Sequence, residues 1–438
     1  MAFGGGTFMS QNKVLPGSYI NFISRAAVTA AAGDRGIAAI GLPFGWGGDE
    51  IVDLTRSDAI SNAEKLFGTA YTADAMRPIR EILLHATRVL VYRLNGGGNK
   101  AANTFATAKY PGPAGNNITI VIKPIPGEEG GEGEDPEIVA YTVETYFGTV
   151  RKDSQAVETA ADLKSNDFVD FITSATLAET DGTKLTGGTD SEVTAENHTA
   201  FLAALEAGGY APNAVGCATK DSSVKAMYKT WAIEQREEYG MKTQIVAFAY
   251  NNANSEAVVN VANSADAVYW VTGVIAGTPV ADSATNLIYD GELTIPAAYT
   301  QRELADALTA GKFVLHRVGD ELRVLDDINS LTTFTDDKGE IFRDNKVIRV
   351  IDQIANDTAA IFNAKYLGAV ANTASGRTSL WGDVTAILQD LRAMGAIEDF
   401  DSEEITVEAG ADKNSVVINE SVTVAGTMKK LYMTCIIA

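Results

Sequence analysis

Histidine and cysteine are scarce in this chain of 438 residues, which has three histidines, His85, His198 and His316, and two cysteines, Cys217 and Cys435. Two cysteines build no disulfide framework and, with so few histidines, no zinc-type ligand set. A serine–histidine–acid site needs its serine on a sharp turn beside a base. No Gly-x-Ser-x-Gly occurs, and the serines of Ser375-Gly376-Arg377-Thr378-Ser379 have no histidine in a matching pattern. Gly96–Lys100 and Gly311-Lys312 lack the spacing of a phosphate loop, and Phe313 stands where a magnesium ligand would be. Acid doublets such as Asp326-Asp327 are common in a chain with 57 acids and read as turns or helix caps. No catalytic, cofactor-binding or metal-ligating residue is assigned, and an enzyme is not expected. Long apolar runs are missing too. None approaches the ~20 residues that span a bilayer, and Met1–Gly6 has neither the basic nor the apolar region of a secretory signal. Membrane insertion is not expected, the sequons at Asn117, Asn197 and Asn419 carry no weight, and the cytoplasm is the expected place of synthesis.

Acidic residues are abundant but absent from both ends. Before Asp34 the only charges are Lys13 and Arg25, and from Met428 onward only Lys429 and Lys430. The net charge is −22, so removing those four cations leaves −26 on the body. Such a body is a poor partner for nucleic acid. Two positive ends on a negative body have the right signs to dock on further copies of the same chain. The content of 46% hydrophobic and 21% charged residues is that of an ordinary globular protein, and the length suffices for two or three cored domains.

The ends themselves are apolar. Residues 1–22 read as an extended arm, with a flexible Gly4–Gly6 and then a turn and short strand carrying Val14, Tyr19, Ile20 and Phe22. The last eleven residues read as a strand, with Leu431, Met433, Cys435 and Ile437 on one face and Tyr432, Thr434 and Ile436 on the other. Chain ends fray unless tied down, and an open strand edge invites another chain. This strand is therefore expected to insert into a sheet, either its own or a neighbour's, and Gly426 and Thr427 would supply a flexible linker before it.

Between the arms the hydrophobic period changes three times. Arg35–Leu42 and Val89–Leu94 read as strands around a helix capped by Ser57 and running to Phe67, and a second helix carries Ile79, Ile82, Leu83 and Ala86 behind Pro78. After Gly96–Gly98 the pattern is β-rich to about Leu185, with one helix expected over 160–174. Its acidic stretch Gly127–Glu137 holds six acids and no base, which reads as a solvated hairpin tip. From Leu185 strands and helices alternate, as in a helix-covered parallel sheet. Thr194 and Asp221 start helices, Asn213–Ala218 and Lys242–Ala249 are strands, Ser255–Asn263 is expected to be a short helix and Ala267–Thr272 a strand. Phe313–Arg317 and Leu322–Asp326 form a hairpin. Two long helices follow, one along Val347–Phe362 and one along Val384–Leu391 ending at Gly395, and then strands Ile405–Glu408 and Ser415–Ile418.

Several stretches, in order, resemble the tail-sheath proteins of contractile bacteriophage tails and phage-tail-like particles, most of all the compact sheaths of Gram-positive phages. They are Pro16–Phe22, Leu185–Asp190, the loop Gly273–Asn286, Thr300–Leu304 leading to Ala310–His316, Val324–Leu331, Asp344–Asp352 and Lys430–Thr434. The acidic 127–137 insertion matches no motif of that family. The resemblance implies a multidomain α/β fold: an N-terminal arm (1–22), a first α/β segment (23–96), a β-sandwich domain (97–186), a subtilisin-like but non-catalytic α/β core (187–330), an α+β C-terminal domain (331–425) and a C-terminal strand arm (426–438). It implies a helical homo-oligomer around an inner tail tube protein, with baseplate and tail terminator proteins as further partners and no cofactor. Assembly in a bacterial cytoplasm and a place in a virion tail or phage-tail-like particle follow from it. The inter-subunit contacts would be made by Val14, Tyr19, Ile20 and Phe22 at one end. At the other they would be made by Lys429, Lys430, Leu431, Tyr432, Met433, Thr434, Cys435, Ile436 and Ile437. The helix Leu380–Met394, or the loop before it, would face the tube. The alternative is another self-assembling structural protein, a capsid or surface-layer subunit, and behind it a hydrolase on the α/β core, which lacks a base.

Overall fold

The computed structural model describes residues 35–127 and 137–437. The expected strand around Val14–Phe22 lies outside them. The described residues open with β1 (Ile37–Leu42), β2 (Val52–Thr55), α1 (Arg56–Phe67), α2 (Arg77–Ile82) and β3 (Arg88–Arg93). The cap of α1 is Thr55 rather than Ser57. Its Oγ1 accepts from Asp58 N at 3.3 Å while Asp58 Oδ2 accepts from Thr55 N at 3.0 Å, a reciprocal box that Ser57 has no acid in place to form.

The next segment holds β4 (Lys100–Ala102), β5 (Ala106–Pro111), β6 (Ile118–Pro126), β7 (Ile138–Phe147), β8 (Val150–Val157), β9 (Val169–Phe171) and β10 (Thr180–Lys184). They make a four-stranded sheet in the order β10-β6-β7-β8 and a three-stranded sheet β4-β5-β9, joined by one apolar core that includes Ile118, Ile120, Ile122, Val143 and Val169. The helix expected over 160–174 is a single 3-10 turn, Ala160–Asp162, followed by β9. Asn166 is the reason. Its Oδ1 accepts from both Phe168 N and Val169 N at 2.9 Å, a local turn that outcompetes helical bonding.

The third segment runs α3 (Ala195–Ala207), β11 (Ala214–Cys217), α4 (Ser222–Glu237), β12 (Gln244–Phe248), β13 (Val258–Val261), α5 (Ala267–Gly277), α6 (Gln301–Thr309), β14 (Lys312–Phe313), β15 (Leu315–Val318) and β16 (Glu321–Val324). Two assignments are the reverse of the expectation: 258–261 is a strand and 267–277 a helix. Val258–Val261 is buried throughout between β12 and β14, where β-branched residues suit a parallel strand. α5 is buried on nearly all sides, so it has no polar face and shows no helical period.

These strands join the first segment in one seven-stranded sheet, β14-β13-β12-β11-β1-β3-β2, parallel except for the edge strand β2. The helices α1, α2 and α5 pack one face with Phe67, Ile79, Ile82, Trp270 and Val271. The helices α3 and α4 pack the other with Phe201, Leu205, Tyr228 and Trp231. At the junction with the β-rich segment, the buried Arg93 donates to Gly47 O at 2.7 Å, Pro111 O at 2.8 Å and Asp190 Oδ1 at 2.8 Å. One guanidinium thus ties both crossings to the end of β3.

The last segment holds α7 (Asn345–Ile361), α8 (Ala374–Ala393) and the antiparallel pair β17 (Thr406–Ala409) and β18 (Val416–Asn419). Apolar side chains of α7, α8 and the hairpin form their own core.

Candidate assembly interface

The start of α7 meets the large sheet through buried polar contacts. Asp327, wholly buried, accepts from Arg349 Nη2 at 2.6 Å, from Asn345 Nδ2 at 3.0 Å and from Ala284 N at 2.9 Å. Burial, the largest influence, pushes its carboxyl up, but the charge of Arg349 and these hydrogen bonds together hold it below the usual range. Gln244 Nε2 reaches Asn345 Oδ1 at 3.1 Å. Arg236 of α4 makes a two-pronged pair with Asp352 at 2.9 and 2.6 Å. Arg35, where the described chain begins, donates to Ile275 O at 3.1 Å. Burial and then the like charge of Arg349 bring its guanidinium down to about 10. Arg35, the first described residue, therefore lies against this same cluster.

The root of the C-terminal arm reaches it as well. Thr423–Ala425 run beside Ala396–Glu398, with Glu398 N donating to Thr423 O at 2.8 Å and Ala425 N to Ala396 O at 3.0 Å. Lys429 then places its ammonium between two carboxylates, 2.6 Å from Asp326 Oδ1 and 2.8 Å from Asp344 Oδ2. Desolvation pulls against its charge more than any other single influence, yet the two carboxylates together raise its pKa above the ordinary value. Beneath Thr427–Lys429 is a cleft of about 740 Å³, walled by the loop Gly277–Leu287 and by His85 and His316.

Beyond Lys429 the chain leaves the body. Lys430–Ile437 make no ladder with any described strand, so of the two placements expected for this strand, in its own sheet or a neighbour's, the first is not seen among the described residues. Leu431, Tyr432 and Ile437 are 88%, 86% and 91% exposed, with Met433, Thr434, Cys435 and Ile436 exposed beside them. A run of this hydrophobicity in water costs free energy, on the order of 25 cal/mol for each Å² of apolar surface left unburied. Val14, Tyr19, Ile20 and Phe22 lie outside the described residues. Among the described residues, β17 and β18 form a two-stranded sheet with an unpaired edge on each side, a size that is marginal without further strands. Next to β18 an apolar groove of about 750 Å³ is lined by Ile351 and Ile354 of α7, by Phe362 just after it, and by Val416, Ile418 and Val422.

Sequence reasoning singled out Lys429 and Lys430 and passed over the receptors of Lys429, because acids are everywhere in this chain. Asp326 and Asp327 divide the work, one holding Lys429 and the other Arg349. Two of the histidines have structural partners. His85 Nε2 is 3.0 Å from Asp290 Oδ1, and His198 Nδ1 is 2.8 Å from the Tyr228 hydroxyl, with burial lowering the pKa of His198. Among the described residues no cluster of three or more His, Cys, Asp or Glu side chains could hold a metal ion, and no helix is long and apolar enough to cross a membrane.

Residues 191–330 match the family model for the phage tail sheath protein central domain, and residues 337–438 that for the phage tail sheath C-terminal domain. The fold superposes on the sheath tail protein of Desulfitobacterium hafniense with a TM-score of 0.81 and 32% identity, covering 95% of this chain and 99% of that one. The sheath tail protein of Listeria innocua gives 0.79 and 31%, covering 93% and 96%. The helical sheath of the anti-feeding prophage in its contracted state shares the fold at 12% identity, with a TM-score of 0.56 over 97% and 99% of the two chains.

Proposed function

The chain belongs to the contractile tail sheath proteins, and on that premise we propose that this structural subunit polymerises helically around an inner tail tube by donating its terminal arms to neighbouring copies. It is a component of a phage tail or phage-tail-like particle. The observation that carries the proposal is the C-terminal arm: eight residues, mostly apolar, that leave the body at Lys429 and find no partner on their own chain among the described residues.

The receiving surface in this reading is the β17–β18 pair with its adjacent apolar groove. Strand addition there attaches the arm through backbone hydrogen bonds and selects it through alternate side chains. A head-to-tail contact that does not close on itself produces a filament. The arms stay bonded while the bodies rotate and slide outward, the sheath shortens, and the tube is driven through the target envelope. The cluster around Asp327, Arg349, Arg236 and Asp352 supports a body that moves as one piece. The seven-stranded sheet is taken as the subtilisin-like, non-catalytic core, with the β-sandwich of 97–186 inserted and 331–425 forming the C-terminal domain. The tube protein, baseplate and tail terminator are the remaining partners, and assembly takes place in the bacterial cytoplasm.

Negative-stain microscopy of the purified full chain tests the reading. Hollow helical cylinders are expected. Closed shells, flat lattices or discrete particles at every concentration would overturn it.

A further inference from the structure

We propose that Lys429 is a pin that fixes the C-terminal arm to its own subunit, so that the segment donated to a second copy of this chain begins at Lys430. The inference rests on the sheath reading above and sharpens it.

The cradle for Lys429 is built independently of the arm. Asp326 Oδ1 also accepts from Thr285 Oγ1 at 3.0 Å. Asp344 uses Oδ1 to cap α7 at Lys346 N, 2.9 Å away, and keeps Oδ2 for the ammonium. Each carboxylate is oriented by a second partner. The ion pair is about three-quarters shielded on both sides, so salt screens it weakly. Upstream, Thr423–Ala425 are bound to Ala396–Glu398. Ties at Ala425 and Lys429 immobilise Gly426–Thr427, the expected flexible linker, and move the pivot to the far side of Lys429.

A fixed root has a consequence for strand addition. Slipping a β pairing by one residue moves every side chain to the opposite face. With the root held at Lys429, the first donated residue is one bond from a fixed point, and the face carrying Leu431, Met433, Cys435 and Ile437 is preset. Without the pin, four more residues, 426–429, join the free segment, and register must be found by search at an entropic cost.

The test compares Lys429→Gln, Lys429→Arg and Asp344→Asn in the full chain. Asparagine still caps a helix well, so Asp344→Asn removes the charge and keeps α7. Lys429→Gln and Asp344→Asn are each expected to raise the critical concentration for tube formation about tenfold, the double variant no further, and Lys429→Arg to restore most of it. Unfolding midpoints of the unassembled variants identify any that fail to fold. Unchanged critical concentrations in folded variants overturn the pin, as does a map of the wild-type sheath with Lys429 on a neighbouring copy's carboxylates. If the wild-type chain forms no tubes the sheath reading falls, and amide exchange then decides the pin alone. Protection at 427–429 that is lost in Lys429→Gln supports it, and protection that is unchanged overturns it.

Discussion

At the residue scale, the buried charges of Asp327, Arg349, Arg236 and Asp352 join α7 to the large sheet. Removing one partner of a buried ion pair leaves the other charge desolvated and alone, which costs roughly 3–5 kcal/mol. Arg349 is fully buried, and among the described residues only Asp327 and the Asp282 carbonyl receive its protons. Arg349→Ala and Asp327→Ala are each expected to lower stability by about that amount, read from denaturant midpoints of the unassembled protein. The pH dependence has a definite sign. The folded carboxyl of Asp327 sits below its ordinary value. Its contribution is therefore present above the unfolded pKa of about 3.9 and is lost as pH falls through the lower folded value. The denaturant midpoint should drop steeply below about pH 4, and Asp327→Asn should flatten that drop.

At the element scale, helix packing separates glycines that look alike in sequence. Alanine normally stabilises a helix interior by about 0.5–1 kcal/mol over glycine. In α5, a Cβ at Gly273 would stand 2.4 Å from Ile82 O, and one at Gly277 1.9 Å from His85 O. Overpacking of that kind costs about 1–3 kcal/mol and decides the sign. Gly273→Ala and Gly277→Ala should lower the melting temperature of the unassembled protein, whereas Gly382→Ala in α8, where a Cβ meets nothing within 4 Å, should raise it. The same close packing explains what was illegible in the sequence. Amphipathic elements such as α4, α7 and α8 show their period because one face is wet. Buried α5 and the valine strand β13 have no wet face, and without one a helix and a strand read alike. At the candidate site, the cationic and apolar arm was legible from composition and alternation. Its cradle was not, because Asp326, Asp344 and Thr285 converge only in the fold. The acidic tip is a further element to test. Gly127 N donates to Glu137 O at 2.8 Å, so the strands flanking 128–136 are already closed. Replacing those residues with a two-residue turn should leave both the unfolding midpoint and tube formation unchanged. Loss of tubes with the fold intact would make the tip an interface.

At the scale of the whole molecule, the body and the arms have separate energetics. The seven-stranded sheet, the β-rich segment of β4 to β10 and the α7–α8 unit have their own apolar cores. The exposed residues 430–437 contribute no described contact to them. Deleting 430–438 should therefore leave the unfolding midpoint within about 0.5 kcal/mol of the full chain, as for surface changes away from packed features. It should nonetheless abolish tubes and keep the protein monomeric in sedimentation at concentrations where the full chain assembles. Deleting 1–22 should likewise block tubes without unfolding the body. A mixture of the two truncations is the stricter experiment, because each supplies the arm that the other lacks. Every contact in a helical lattice is repeated, so a mixture can form short oligomers and still fail to propagate a sheath. Short oligomers from the mixture, with none from either truncation alone, would show that the two arms serve different contacts. Full-length tubes from either single truncation would show that the body surfaces suffice and that the arms are dispensable.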